Sequence, residues 1–188
     1  MTAAQIVALL VGNRYRRGFV LPHYTPHRWW ECDVFEATEA GYFREYEVKV
    51  SRADFLKDAA KARTVYANEP VPEAERQHPW QRTRLVERRG DGKHELLAAG
   101  DPRGPSRFWF VTPTGLLKPE EVPEWAGLIE VDQRKARLVE REVRKAPRRH
   151  GEKIEAARYE HAKGVCYWRM HTLAQMRGPD DQPGEWVI

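Results

Sequence analysis

Two cysteines, Cys32 and Cys166, are all that the 188 residues contain. They are too few for a disulfide framework, and His150 and His161 do not complete a zinc spacing with Cys166. A reducing interior is therefore the expected environment. No apolar run approaches the roughly 18 residues that cross a bilayer. Residues 1–11 carry neither a basic leader nor a small-residue cleavage site, so a signal peptide is not expected. Internal repeats and low-complexity tracts are absent. No glycine-rich phosphate loop is found, because Gly90-Asp91-Gly92-Lys93 has the wrong spacing for one. These absences leave a soluble chain of single-domain size with room for a sizeable core.

Charge is abundant and unevenly placed. The net charge is +4. Residues 31–58 nonetheless hold eight acids against four bases, whereas residues 76–93 hold six bases against two acids and residues 134–163 eleven against five. An acidic focus between basic segments suits a polyanion gripped on both sides of a cation site.

The acidic focus has internal order. Trp29–Phe35 and Tyr42–Val50 both read as strands, with Thr38-Glu39-Ala40-Gly41 as the turn between them. Folding the hairpin about residue 40 sets Asp33 opposite Glu47 and Glu31 opposite Lys49. Side chains alternate along a strand. Glu31, Asp33, Glu45, Glu47 and Lys49 are then expected on one face, and Trp30, Cys32, Val34, Tyr46, Val48 and Val50 on the other. Like charges across a strand pair repel unless a cation lies between them. A hard divalent ion such as Mg²⁺, which accepts one or two carboxylates and keeps several waters, is the natural counter-charge.

The remaining elements frame this hairpin. Ile6, Leu9 and Leu10 predict a helix over 2–12, and Gly18–Leu21 a short strand. Ser51-Arg52-Ala53-Asp54 is a capping box. Phe55, Ala59, Ala62 and Tyr66 then predict a helix running to Asn68. Residues 69–105 read as a proline-broken basic insertion with a short helix over Lys93–Ala99. Arg107–Thr112 predicts a strand buried on both faces, Gly127–Val131 its neighbour, and Arg137–Val143 a strand pairing back. Glu152–Met176 predicts a long basic helix. The fold class expected is α/β. A mixed central sheet is flanked by helices, with a core over about 2–68 and 106–145 and a helical extension over 150–176. The passage from Lys49 to Phe108 is expected to be a parallel crossover.

Asp33 on one strand, Glu47-Val48-Lys49 on the next and a helix on either side resemble the PD-(D/E)XK nuclease superfamily, with its restriction-endonuclease-like core. The stretch Glu47-Val48-Lys49-Val50-Ser51-Arg52-Ala53-Asp54-Phe55-Leu56 looks like the MmcB-like branch, which is associated with DNA repair and with phage-borne relatives. Cys32 stands where the family has proline. The first helix offers only Gln5 where many members carry an acid, which turns attention to Glu31. The resemblance implies a DNA nuclease in the cytoplasm of a bacterial or phage-infected cell. Asp33 and Glu47 would hold Mg²⁺ or Mn²⁺, with the Val48 carbonyl and Glu31 as further ligands. Lys49 would act on the attacking water or the phosphate. Arg52, Lys57 and Lys61 would guide the DNA backbone, with His27 in the preceding loop and Trp29 able to stack on an unpaired base. A non-cleaving nucleic-acid-binding protein of the same fold is the alternative.

Overall fold

The structure is a computed structural model and describes residues 1–58, 62–78 and 80–176. Helix α1 (Ala3–Arg14) is followed by strands β1 (Gly18–Tyr24), β2 (Cys32–Thr38) and β3 (Phe43–Val48), then helix α2 (Arg52–Asp58). Strands β4 (Ala62–Pro70) and β5 (Thr83–Gly92) come next, then helix α3 (Lys93–Ala99). Strands β6 (Arg107–Pro113), β7 (Gly127–Arg134) and β8 (Arg137–Arg144) precede the long helix α4 (Ala156–Met176). Six strands form one sheet in the order β1-β2-β3-β6-β7-β8, and β4 with β5 forms a separate two-stranded arm. The β3–β6 and β6–β7 pairs are parallel and the rest antiparallel, so the sheet is mixed and β3 reaches β6 by a parallel crossover. Among the described residues, no helix is long and apolar enough to cross a membrane.

Both sheet faces are covered. On one, Ile6, Val7 and Leu10 of α1 pack against Val34, Tyr46, Val48, Trp109 and Val111. On the other, Phe35, Phe43, Phe108 and Phe110 meet Leu97 of α3 and Ala162 of α4. Helix α1 is held at its start by a capping box. The Thr2 hydroxyl accepts from the Gln5 N–H at 3.3 Å, and the Gln5 side chain accepts from the Thr2 N–H at 2.8 Å.

The β2–β3 hairpin has the expected register, with Val34 opposite Tyr46, Phe35 opposite Glu45 and Ala37 opposite Phe43. Its turn closes through the Gly41 N–H to the Thr38 carbonyl at 2.8 Å. Gly41 adopts φ 82°, a left-handed conformation that glycine takes without a Cβ penalty. Strict alternation stops at Asp33, however. Its carboxylate, instead of a backbone carbonyl, accepts the Val48 N–H at 2.7 Å. Beyond that point Cys32 and Trp30 join Phe35's cluster, not Val34's as the alternation predicts.

The largest departure from expectation lies after Ser51. The capping box forms, with the Asp54 N–H donating to the Ser51 hydroxyl at 3.2 Å, but α2 ends at Asp58. Residues 62–70 are a strand paired antiparallel with 83–92. Thr64-Val65-Tyr66 is β-favouring, and non-local pairing overrides the helical spacing of the apolar positions. Ala59 lies outside the described residues. The basic insertion is therefore largely regular: a β-ribbon arm that leaves the body after Asp58 and returns at Lys93, where the expected Lys93–Ala99 helix begins.

Candidate functional site

The acidic face of β3 is buried rather than solvent-facing. Glu45 is paired with Phe35 on β2 and with Phe108 on β6, and Glu47 lies beside Phe110. Glu45, Glu47 and Lys49 are 0%, 3% and 2% exposed. Charges in such surroundings persist only if they are paired, and here each one is.

The pairing forms an alternating chain. The Trp29 indole N–H donates to Glu45 Oε2 at 2.8 Å. Lys93 Nζ lies 2.6 Å from Glu45 Oε1 and 2.7 Å from Glu47 Oε2. Lys49 Nζ lies 2.9 Å from Glu47 Oε1 and 3.1 Å from Asp58 Oδ1. His94 Nε2 lies 2.9 Å from Asp58 Oδ2 and ends the chain near the surface. Asp33, half-buried, stands alongside and feels the charge of Glu47. Lys93, Asp58 and His94 are the members that sequence reasoning missed.

Among the described residues of this centre, three buried carboxylates meet two ammoniums, and Asp33 adds a fourth acid. Burial, and then the charge of Glu47, hold the Asp33 carboxyl above its ordinary value. Burial also keeps Glu45 high despite Lys93. For Glu47 burial is the largest influence and raises its value, but the ammoniums of Lys93 and Lys49 outweigh it and hold the group low. Lys49 and Lys93 are raised: burial opposes their charge, and the surrounding carboxylates overcome it.

These directions set a pH profile. The stabilisation from Glu47 is complete above its unfolded value near 4.5 and is lost as pH falls through its lower folded value. Asp33 and Glu45 act in the opposite sense, since protonation relieves their burial. The lysines' stabilisation is complete below 10.5 and is lost only as pH rises through their raised values. Denaturant stability should hold or rise from neutrality to about pH 5, then drop below pH 4.5 as Glu47 is protonated. A steady decline beginning at about pH 7 in urea titrations would contradict this assignment.

The other predicted residues divide. Glu31 is exposed and lies 3.9 Å from His23. Trp29 is 1% exposed, donates to Glu45 and cannot stack on a base. Its ring fills the space over Gly104, where a Cβ would stand 2.6 Å from Trp29 Cη2. Gly104→Ala should therefore cost about 1–3 kcal/mol by overpacking, read as a lowered urea midpoint with unchanged slope. His27 is exposed, and its carbonyl accepts from Arg158 at 2.9 Å. Arg52 is exposed and bound to Glu121 and to the Leu116 carbonyl. Lys57 is exposed, and Lys61 lies outside the described residues.

A divalent ion can be tested against these donors. Among the described residues no group of three or more His, Cys, Asp or Glu side chains is disposed to hold a metal. Mg²⁺ does not require one, since one or two carboxylates plus water and phosphate oxygens suffice. Each Glu47 oxygen meets an ammonium, and a carboxylate oxygen has two lone pairs. Asp33 Oδ2 takes the Val48 N–H. Glu47 itself is 3% exposed and held between two ammoniums, whereas the half-buried Asp33 lies nearer to solvent.

No protein-family model matches the chain, and no curated protein does either. Among solved structures, the chain is similar to the SPO1766 protein of unknown function from Silicibacter pomeroyi. The TM-score is 0.54 at 18% identity, over 94% of both chains. At that identity the likeness concerns the fold alone: a mixed six-stranded sheet with helices at both ends of the chain.

Proposed function

We propose that this chain is a Mg²⁺- or Mn²⁺-dependent nuclease that hydrolyses phosphodiester bonds in DNA, of the PD-(D/E)XK type and akin to its MmcB-like branch, in repair, recombination or phage DNA processing. The observation that carries the reading is the Asp33 carboxylate at the Val48 N–H, 2.7 Å away and close enough to feel the charge of Glu47, with Lys49 2.9 Å from Glu47. Asp33 and Glu47 would hold the ion, with the Val48 carbonyl as a further ligand. When bound, the ion lowers the pKa of a water and offsets phosphate charge. Lys49 carries a fixed positive charge to the same place, held there by Glu47 and Asp58. Being 2% exposed, it would act on the charge that develops on the scissile phosphate through its field rather than by contact. Exposed Arg52 and Lys57 on α2 lie close in sequence to Lys49 and would track the neighbouring phosphates, with His27 on the loop before β2.

The test is incubation of supercoiled plasmid and of a single-stranded oligonucleotide with the purified chain in Mg²⁺, Mn²⁺ or EDTA. Nicking or shortening in either metal, abolished by EDTA, is expected. Intact DNA in both metals would overturn the reading. One observation favours the alternative, a non-cleaving nucleic-acid-binding protein: both Glu47 oxygens already face ammoniums. That alternative predicts DNA affinity that falls steeply with salt and no cleavage.

A further inference from the structure

The geometry points to Lys93 as a resident cation: its ammonium takes the position between Glu45 and Glu47 that a second divalent ion would occupy, and it limits the centre to one exchangeable ion. The limit to one ion rests on the nuclease reading; the role of Lys93 between the two acids does not.

Glu45 and Glu47 are two residues apart on the same face of β3, walled by Phe108 and Phe110. Without a cation between them, two acids so placed would repel or take up a proton. Lys93 Nζ sits within 2.7 Å of an oxygen from each. Its contact with Glu45 Oε1, at 2.6 Å, joins full charges of opposite sign in a site closed to solvent. Two carboxylate oxygens converging on one charge is also how a hard cation is held.

The side chain is placed for this task and no other. Lys93 is 1% exposed, and its ammonium lies 5.4 Å from the Phe108 ring centroid. It cannot reach solvent or a surface phosphate while it holds both acids. It arrives from α3, at the return of the β4–β5 arm, so the insertion supplies the charge that the sheet face lacks. The other ammonium, Lys49, serves the Glu47–Asp58 side.

A Mn²⁺ titration followed by the electron paramagnetic resonance of free Mn²⁺, on the full chain at neutral pH, decides the matter. Lys93→Ala should bind one Mn²⁺ more per chain than the wild type. Adding Glu45→Gln to Lys93→Ala should return the count to the wild-type value. Melting of Lys93→Ala should be lowered in EDTA and recover in Mn²⁺ by more than the wild type gains. Equal counts in Lys93→Ala and wild type would overturn the inference. So would two ions in the wild type, or a Lys93→Ala chain that stays unfolded both with and without Mn²⁺. The wild-type count speaks separately to the nuclease reading: one ion agrees with it and none opposes it. The difference between the two proteins tests Lys93 in either case.

Discussion

Asp33→Asn should remove metal-dependent DNA cleavage, by on the order of 10²–10³-fold or more, while the melting temperature stays at or slightly above the wild-type value. The side-chain oxygen of an asparagine can still accept the Val48 N–H that Asp33 now accepts at 2.7 Å. The strand junction therefore survives, which it would not in Asp33→Ala. What disappears is a half-buried negative charge beside that of Glu47. Burial and Glu47 both disfavour that charge in the metal-free protein, so its loss carries no folding penalty. Its loss matters only when a cation has to be held. Cleavage rates in Mg²⁺ and thermal melts in EDTA, on the same preparation, separate the two effects. An Asp33→Asn chain that cleaves at the wild-type rate would take away the residue on which the nuclease reading depends.

The sequence discloses the hairpin well because its signals are local. Alternating apolar positions and a turn ending in Gly41 need no knowledge of the rest of the chain. The dense run Arg107–Thr112 and its neighbour Gly127–Val131 are legible for a similar reason, since strands covered on both faces are written as apolar text. The expected helix over 51–68 fails where a distant partner decides the outcome. Residues 83–92 pair with 62–70, and no local pattern announces a ribbon closed by so distant a strand. Cys32 and Trp30 are misplaced by extending alternation past Asp33, the residue whose side chain interrupts the ladder.

Lys93 carries a signal that local reading passes over. It opens a helix, a position where positive charge is disfavoured by the helix dipole. It also follows Gly92, whose N–H is capped by Glu95 at 2.7 Å. A lysine placed against local preference needs a tertiary reason, and Glu45 and Glu47, 46 residues before it in the latter case, supply that reason. Glu45 bears a similar mark, an acid set between Arg44 and Tyr46 on a strand whose Phe43 is core. Burial of a charge cannot be read from one strand, because it depends on what the neighbouring strand and the covering helix place beside it.

Lys49→Met should do two things at once: end cleavage and destabilise the fold by about 3–5 kcal/mol, the usual cost of breaking a buried ion pair. For a chain of this size that corresponds to a fall in melting temperature on the order of 10 °C. Methionine matches the length of lysine without its charge, so packing is largely kept and the loss is electrostatic. Glu47 keeps the ammonium of Lys93 and Asp58 keeps His94, but both lose the cation that joins them. Lys49→Met/Asp58→Asn should then be more stable than Lys49→Met, because the second change removes one of the buried charges that Lys49 had joined. Cleavage should not return, since stability depends on charge balance whereas catalysis needs the ammonium itself beside Asp33 and Glu47. Urea titrations of the wild type, the two single variants and the double variant give the coupling, and plasmid nicking gives the activity. If Lys49→Met melts like the wild type, the chain of charges through Glu47 and Asp58 is not what holds this end of the sheet. If the double variant regains nicking, Lys49 supports the site only by balancing its charge and takes no part at the phosphate.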